Sequence, residues 1–333
     1  MQHATVKDVA KLAGVSTSTV SLVINNSPRV SLETKTKILK AIKTLQYVPN
    51  SYAVSLRQKS RECIGILVPD VSNPYYIEII KGIRDKCNNK EISIKISETL
   101  YDKRTEEKEV EFLKRIRATG YVFIGTSNDC DIISQIHGSK IVFIDKIDES
   151  GKIPSILIDN RQSLYEATSY LINKGCRNIW YISQIPNTEP VEQRLQGFKD
   201  AMLENNICPD DNIMLSIESC LNKLEAGYNQ IKCILDKTIP DAVITSSDLI
   251  ALGAIKGISE RGLHVPNDIS VIGFDNIDYA KYCIPSLTTI NQPRYKMGEL
   301  AFDYLTNENL NVNELNSKII LKSDFIIRDS VKK

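Results

Sequence analysis

Acidic and aromatic side chains follow several apolar runs of this sequence, where they could act together on one ligand. Asp145 comes directly after "KIVFI", Asp275 comes after "SVIGF", and Tyr75 and Tyr76 follow the run "CIGILV" closely. Charged groups make strong hydrogen bonds to hydroxyls, and aromatic faces stack on C–H surfaces, so this set suits a polyhydroxylated molecule. The full set of such side chains is Asp70, Asn73, Tyr75, Tyr76, Asp145, Lys146, Ser247, Asp248 and Asp275.

Two other interpretations of these carboxylates need to be weighed. Any single Asp could simply cap a helix, and for Asp248, just before "LIALGAIKGI", capping is favoured. An enzyme could use Asp145, Asp159 and Asp275 as acid/base groups, as a glycosidase uses a carboxylate pair. The sequence, however, contains no nucleophile elbow, phosphate loop or metal-ligand spacing. We therefore expect a binding protein that is not an enzyme.

Histidine and cysteine usage supports the same expectation. The three histidines fall outside the predicted pocket, and the eight cysteines are scattered without a C-x-x-C pair. In a chain of this size with no secretory signal, such cysteines are most simply reduced thiols. We expect no metal site and no cofactor.

The stretch "VSTSTVSLVINN", residues 15–26, could do a different kind of chemistry. Its residues are weak helix formers, so a Ser/Thr-rich loop is one interpretation. Helical spacing over residues 17–25, however, places Val20 and Val23 on one side, with Thr19. It places polar side chains outward, where they could bond to base edges and phosphates. The outward residues are Thr17, Ser18, Ser21, Leu22 and Asn25.

The segments on either side of this stretch predict two more helices. Thr5 and Asp8 form a variant capping box, and Gly14 suits a left-handed helix end. A second helix restarts with Ser16 as its N-cap, and a third begins after Ser31 and runs through "LETKTKILKAIKTLQY" with Ile38, Ile42 and Leu45 inward. Two short helices joined by a tight turn and braced by a third predict a helix-turn-helix.

Charge is divided unevenly along the chain. Residues 1–60 contain nine Lys or Arg and two acidic residues, a net charge of +7, so the remainder carries −6 within a total of +1. A basic head on an acidic body indicates a polyanionic partner. No signal segment and no membrane-spanning apolar run are present, which predicts a cytoplasmic protein.

The rest of the chain alternates apolar runs with amphipathic segments, from "ECIGILVPD" to "ISVIGFDN". Such alternation predicts parallel sheets with helical crossovers, and seven or eight units suit two lobes better than one sheet. A boundary near residue 160 is expected, because "ILIDN" ends a strand and "RQSLYEATSYLINKG" starts a new segment. Ligands of open α/β sheets bind beyond the carboxyl ends of the strands, where the acidic and aromatic set falls.

Taken together, "TVKDVAKLAGVSTSTVSLVINN" and the later "RVSLETKTKILKAIKTLQYVPN" resemble the lac repressor/galactose repressor (LacI/GalR) family of bacterial transcription regulators, over nearly the whole chain. The resemblance implies a small all-α helix-turn-helix head and an α/β body of two parallel-sheet lobes, similar to periplasmic sugar-binding proteins. It implies these domains: a head at 1–49, a hinge at 50–60, an N-terminal lobe at 61–160 plus about 291–320, and a C-terminal lobe at 161–290 plus about 321–333.

The resemblance also implies which residues contact DNA. Thr17, Ser18 and Leu22 occupy base-reading positions, and family members often have Arg where this chain has Leu22. Because Leu cannot make the bidentate contact to guanine, an apolar neighbour such as a thymine methyl is expected there. The expected DNA contacts are Thr5, Ser16, Thr17, Ser18, Ser21, Leu22, Asn25, Tyr47, Ala53 and Leu56.

The segment "NSYAVSLRQKS" is too short to be a stable helix alone, and a plain linker is one interpretation of it. The resemblance implies instead a hinge helix that folds on the operator, with Leu56 and its dimer mate wedged into the minor groove, which kinks DNA. Many relatives have Arg where this chain has Val54.

For the ligand, the resemblance implies that Arg194 in "RLQGF" grips the effector, although an Arg at the end of a loop entering a helix could also lie on a solvated face. Tyr75 and Tyr76 would form an aromatic wall. This chain has Ser247 where sugar binders frequently have Asn, and Lys146 where Arg is common. The expected effector contacts are Tyr75, Tyr76, Asp145, Lys146, Arg194, Ser247, Asp275 and Gln292.

The function implied is a homodimeric repressor whose affinity for double-stranded, pseudo-palindromic operator DNA is gated by a sugar or sugar derivative. A regulator of the same architecture that depends on a corepressor or on a phosphorylated partner protein is the alternative. A transport-type sugar-binding protein would share the body, but it would lack the basic head and carry an export signal.

Overall fold

A computed structural model describes two compact units, one within residues 1–61 and one within residues 62–333. The described residues are 4–24, 27, 29–47, 62–88, 90, 92–126, 133–148, 150–184, 188–216, 222–307 and 318–333. The hinge segment lies outside them, and so do the expected DNA contacts Asn25, Ala53 and Leu56, together with Val54.

The N-terminal unit is a helix-turn-helix braced by a third helix. Its helices are α1 (Val6–Ala13), α2 (Thr17–Ile24) and α3 (Leu32–Thr44). The predicted capping box is present, since the Thr5 hydroxyl accepts from the Asp8 amide and the Asp8 carboxylate accepts from the Thr5 amide; Gly14 ends α1 with φ 64°. The core of this unit consists of Val9, Ala10, Val20, Val23, Ile38 and Ala41.

Helix α3 ends at Thr44, so the prediction that it runs through residue 47 is wrong at its C-terminus. Gln46 adopts a left-handed φ of 46°, and the Tyr47 amide returns to donate to the Ile42 carbonyl. This turn satisfies the last carbonyls of the helix, as in a Schellman-type ending. Ile42 and Leu45 are half-buried against the core, as the helical spacing predicted.

The second unit alternates strands and helices over most of its length, which confirms the predicted α/β class. Its strands are β1 (Cys63–Val68), β2 (Ser93–Glu98), β3 (Gly120–Ile124), β4 (Lys140–Ile144), β5 (Ser155–Ile158), β6 (Ile179–Gln184), β7 (Ile213–Ser216), β8 (Ala242–Thr245), β9 (Ser270–Asp275), β10 (Thr288–Asn291), β11 (Lys318–Leu321) and β12 (Asp324–Ile326). Its helices are α4 (Pro74–Asn88), α5 (Lys103–Arg115), α6 (Asn160–Asn173), α7 (Glu189–Glu204), α8 (Lys223–Leu235), α9 (Asp248–Glu260), α10 (Asp278–Tyr282) and α11 (Arg294–Thr306).

The described strands form two six-stranded sheets, ordered β11-β5-β4-β3-β1-β2 and β12-β10-β9-β8-β6-β7. The neighbours pair in parallel, except that β12 is antiparallel to β10. The chain therefore leaves the second sheet after β10, passes through α11, adds β11 to the first sheet and returns to the second sheet with β12. The expected domain boundaries stay a prediction.

Helix α11 packs against α4 and against the first sheet, although it lies more than 200 residues further along the chain. The contact is close because both helices carry glycine there: a Cβ on Gly82 would meet the Tyr295 carbonyl oxygen at 2.2 Å, and a Cβ on Gly298 would meet the Ile79 carbonyl oxygen at 2.1 Å. This packing fixes the position of α4, which carries Tyr75 and Tyr76 at its start.

Candidate functional site

The outward face of α2 is exposed as the helical spacing predicted. Val20 and Val23 are buried in the core, Thr17 and Ser18 are exposed, and Leu22 is 38% exposed. Thr17, Ser18 and Leu22 are thus accessible on one face of α2, and their contact with DNA stays a prediction.

Ser16 begins this helix. Its Oγ accepts from the Thr19 amide at 3.2 Å and lies 2.6 Å from Ser18 Oγ and 2.8 Å from Thr19 Oγ1. The cap orients the first turn, so the amides of that turn point out of the N-terminus toward any bound phosphate. Of the other expected DNA contacts, Thr5 is exposed, whereas Ser21 and Tyr47 are half-buried.

The second unit contains a cavity lined by residues at and beyond the carboxyl-terminal ends of the strands of both sheets, as expected for open parallel sheets. The first sheet and its helices contribute Asn73, Tyr75, Tyr76, Tyr101, Gly125 and Asp145. The second sheet and its helices contribute Gln184, Thr188, Pro190, Val191, Arg194, Lys223 and Asp275. The structure thus brings together five of the expected effector contacts, which lie far apart in the sequence: Tyr75, Tyr76, Asp145, Arg194 and Asp275.

A chain of hydrogen bonds joins the two sides of this cavity. The Tyr75 hydroxyl donates to Asp145 Oδ2 and also lies 3.2 Å from Gln292 Oε1. The amide of Gln292 donates in turn to Asp275 Oδ1 at 2.8 Å. Gln292 is therefore in the site without being among the described lining residues, because it lies behind Tyr75 and Asp275.

Burial sets the electrostatics of the cavity. It raises the pKa of the Asp145 carboxyl, while the hydrogen bond from Tyr75 and the charge of Arg194 act in the opposite direction. Burial also raises the pKa of Asp275, opposed by Arg194 and Lys223. The pKa of Tyr75 is raised well above its ordinary value by burial and by the negative charge of Asp145, so the hydroxyl keeps its proton. Asp145 Oδ1 accepts no hydrogen bond from a described residue, whereas Asp275 Oδ1 accepts one from Gln292.

Arg194 lies well inside α7, which begins at Glu189, so the prediction that it ends a loop entering a helix is wrong. Pro190 at the helix start, with Glu189 and Glu192 in the first turn, explains the earlier beginning. The alternative of a solvated face is also wrong, because Arg194 is only 7% exposed.

Three contacts hold the Arg194 guanidinium at the cavity. Nε donates to Asn160 Oδ1 at 2.7 Å, and Nη1 donates to the Ser246 carbonyl at 2.8 Å. The group stacks 3.8 Å from the centroid of the Phe274 ring. These contacts fix the position of the guanidinium, and Nη2 has no hydrogen-bond partner among the described residues.

Besides Gln292, two more of the expected effector contacts, Lys146 and Ser247, are not among the described residues that line the cavity. Lys146 is buried, with Nζ 4.8 Å from the centroid of the Phe143 ring. The hydroxyl of Ser247 caps α9 by accepting from the Ile250 amide at 3.5 Å. Both side chains therefore have structural contacts, and their role toward a ligand stays a prediction.

Asp248 does not cap α9, because Ser247 already occupies the cap; that prediction is wrong by one residue. Its fully buried carboxylate accepts from the Ile277 amide at 2.8 Å and from Thr289 Oγ1 at 2.5 Å. These two hydrogen bonds fix the position of the segment that follows Asp275. Asp275 itself has a positive φ of 117°. Asp248 thus positions the turn that carries Asp275.

Sequence reasoning missed several lining residues. Gln184 ends β6, Thr188 and Pro190 start α7, and Lys223 starts α8. The rule that ligands bind where strands end and helices begin could have found them, because they stand at such junctions. The same rule applies to Tyr101, which lies between the end of β2 at Glu98 and the start of α5 at Lys103.

Comparisons with known proteins agree with this architecture. The family model described as bacterial regulatory proteins, lacI family, matches residues 5–50, and a periplasmic binding protein-like domain matches residues 168–331. The HTH-type transcriptional regulator DegA of Bacillus subtilis (strain 168) is 32% identical over 331 residues, covering 98% of this chain and 97% of the relative. The HTH-type transcriptional repressor PurR of Mannheimia succiniciproducens is 34% identical, covering 99% of each chain.

Solved structures are similar over the same extent. The lac repressor dimer bound to operator and the anti-inducer ONPF has a TM-score of 0.75 at 24% identity, covering 99% of each chain, a likeness of fold. A LacI family transcriptional regulator from Enterococcus faecium with bound ribose has a TM-score of 0.72 at 26% identity, covering 81% of this chain and 98% of that chain.

None of the helices formed by the described residues has the length and apolar character needed to cross a bilayer.

The relatives above 30% identity match this chain from end to end. The helix-turn-helix, with the outer face of α2 exposed, and the two-sheet body, with its polar cavity, agree with the resemblance drawn from the sequence. The chain belongs to the lacI family of bacterial transcriptional regulators.

Proposed function

We propose that this protein is a homodimeric transcriptional repressor whose affinity for operator DNA changes when a polyhydroxylated ligand, a sugar or sugar derivative, binds in the cavity between its two sheets. It acts by binding and catalyses no reaction, and as a regulator of chromosomal genes it acts in the cytoplasm. The observation that carries the proposal is the arrangement of Asp145, Arg194 and Asp275 around one cavity in a chain that also presents α2.

The polar groups of the cavity include an acceptor and a donor that can form hydrogen bonds with the hydroxyls of a sugar. Asp145 Oδ1 is buried and accepts no hydrogen bond from any described residue, so it can accept one from a ligand hydroxyl. Arg194 Nη2 can donate to the oxygen of a neighbouring hydroxyl. A hydroxyl is both donor and acceptor, so adjacent hydroxyls of a sugar can satisfy a carboxylate and a guanidinium together.

The remaining lining suits the apolar part of such a ligand. Tyr75 and Tyr76 form a T-shaped pair with ring centroids 5.3 Å apart, and the pair is held at the start of α4. Their faces provide the apolar wall of a mostly polar pocket. Among similar solved structures, one is a LacI family transcriptional regulator with bound ribose and another is a CelR–cellobiose complex, which supports the same ligand class.

On the DNA side, we propose that α2 enters the major groove and that Thr17, Ser18 and Leu22 face base edges. Ser16, Ser21, Thr5 and Tyr47 would contact the sugar–phosphate backbone. The exposure of Leu22 beside two hydroxyls supports this assignment. A homodimer would place two such helices on a pseudo-palindromic site.

The test uses the full-length protein. Sequences bound from a pool of random duplexes are selected and one is labelled, and the affinity of the protein for it is measured by fluorescence anisotropy with and without D-ribose, D-glucose and cellobiose. Calorimetry gives the sugar affinities independently. We expect an enriched pseudo-palindrome and a sugar that both binds and shifts the DNA affinity, and the sign of the shift separates an inducer from a corepressor. A protein that selects no sequence, or that binds none of these sugars, would overturn the proposal.

A further inference from the structure

The turn between β2 and α5 has an unusual backbone. Leu100 and Tyr101 adopt left-handed φ angles of 55° and 56°, one after the other. Side chains with a Cβ avoid this region, in which glycine and asparagine are far more common. A leucine and a tyrosine standing there together call for an explanation.

The flanking structure imposes this conformation. The Thr99 amide donates to the Val68 carbonyl at 2.8 Å, and the Leu100 amide donates to the Pro69 carbonyl at 3.0 Å. On the other side, Asp102 caps α5 by accepting from the Thr105 amide at 2.7 Å. The turn is thus held at both ends, and left-handed residues kept in this way are often found at functional sites.

The two residues of the turn differ in where their side chains lie. Leu100 is 45% exposed and is not among the described lining residues of the cavity. Tyr101 lines the cavity, and its hydroxyl lies 3.2 Å from the hydroxyl of Tyr76. Tyr76 in turn packs edge-to-face against Tyr75. The turn therefore extends the tyrosine wall of the cavity by a third ring.

We propose that Tyr101 is a specificity-determining residue of the cavity, which selects ligands that present the C–H face of a closed sugar ring. This inference rests on the proposed function and deepens it. An aromatic ring gains contact from a flat apolar face and gains little from an open polyol chain, which has no such face. One of the two facing hydroxyls donates to the other, so the pair has one proton left for a ligand oxygen.

Three variants of the full-length protein separate this role from a structural one. Tyr101→Asn removes the ring and places at residue 101 a side chain that suits the left-handed backbone. Tyr101→Phe keeps the ring and removes the hydroxyl. Leu100→Asn places the same side chain at the neighbouring left-handed residue, which does not line the cavity. Thermal unfolding is measured without ligand. Calorimetry then compares D-glucose with sorbitol and D-ribose with ribitol, each pair being a closed-ring sugar and its open-chain alditol, and measures the affinity for cellobiose as well.

We expect Tyr101→Asn to unfold at the temperature of the wild type or above it, because the strain at residue 101 is relieved. The same variant should bind the closed-ring sugars at least about fivefold more weakly and lose most of the preference for them over their alditols. Tyr101→Phe should keep that preference. Leu100→Asn should leave both the affinities and the preference unchanged.

Unchanged sugar preference in Tyr101→Asn would overturn the inference while leaving the proposed function standing. A fall in unfolding temperature in Tyr101→Asn that Leu100→Asn does not show would assign Tyr101 to the structure of the turn and would also overturn it. A wild-type protein that binds none of the three sugars would overturn the proposed function, and this inference with it.

Discussion

Gln292 Nε2 donates a hydrogen bond of 2.8 Å to Oδ1 of Asp275, and the Oε1 of the same side chain lies 3.2 Å from the Tyr75 hydroxyl. Asp275 ends a strand of the second sheet, whereas Tyr75 belongs to the helix that follows the first strand of the first sheet. Gln292 stands where the chain passes from one sheet to the other. A single amide thus joins both walls of the cavity at a crossing point of the backbone.

Gln292→Ala should lower the free energy of unfolding by about 1–3 kcal/mol, because it leaves a buried acceptor on Asp275 without its donor. Urea denaturation measures the change. Gln162→Ala is the matched control: this glutamine is exposed and its side chain bonds only to Glu166 among described residues, so the loss of stability should stay within about 0.5 kcal/mol. Equal losses in the two variants would contradict a special role for the amide at the crossing.

Arg194→Ala should weaken sugar binding by about 1.5–3 kcal/mol for each charge-assisted hydrogen bond that is lost. Calorimetry measures the affinity, and anisotropy without ligand should show unchanged DNA binding. Arg161→Ala serves as the control, since this arginine is exposed and pairs with Asp200 on the surface. If the sugar affinity of Arg194→Ala equals that of the wild type, the guanidinium has only a structural role, through its contacts with Asn160, Ser246 and Phe274.

Asp145→Asn should stabilise the protein relative to the wild type more at pH 8 than at pH 4.5. Burial raises the folded-state pKa of Asp145 above its ordinary value of 3.8, so above that pH the folded state holds a proton that the unfolded state has lost. The free energy of unfolding contributed by this group therefore falls as pH rises through the folded-state pKa. Asparagine cannot ionise, so the variant lacks this pH-dependent decrease in the free energy of unfolding.

Urea denaturation of both proteins at the two pH values gives the measurement. Subtracting the wild-type curve from the variant curve cancels the many surface carboxylates, and Asp275 remains in both proteins. The difference in the free energy of unfolding between variant and wild type could instead stay constant or shrink as the pH rises. That result would show that the Tyr75 hydrogen bond and the charge of Arg194 stabilise the Asp145 carboxylate more than burial destabilises it.

Leu22→Arg should change the base preference of the protein toward guanine at one position of each half-site. A bidentate Arg–guanine contact provides about 1–3 kcal/mol of discrimination that leucine cannot provide. Selection from random duplexes, done in parallel for wild type and variant, shows the change. Leu39→Arg adds the same charge at an exposed leucine of α3 and should strengthen DNA binding without changing the selected sequence.

Identical selected sequences for wild type and Leu22→Arg would remove Leu22 from the predicted base-reading set. If Leu39→Arg changed the selected sequence instead, the reading face would lie on α3 rather than on α2.

Local signals in the sequence determined the helices of the head and the class of the body. The capping box of Thr5 and Asp8, the left-handed Gly14 and the cap at Ser16 act within four residues, so their effect can be read without knowing the fold. The apolar runs of the body likewise predict buried strands from composition alone.

Only the tertiary structure decided which polar side chains share the cavity, because membership depends on the order of strands in two sheets. Asp145 and Asp275 are linked through Tyr75 and Gln292, and Gln292 stands where the chain leaves the second sheet after β10, which no local pattern shows. Lys146 and Ser247 stand beside cavity residues in the sequence, but their side chains contact Phe143 and the start of α9. Tyr101 reaches the site through two left-handed residues held by the first strand and by a helix cap, and such a backbone is imposed by packing rather than by local preference.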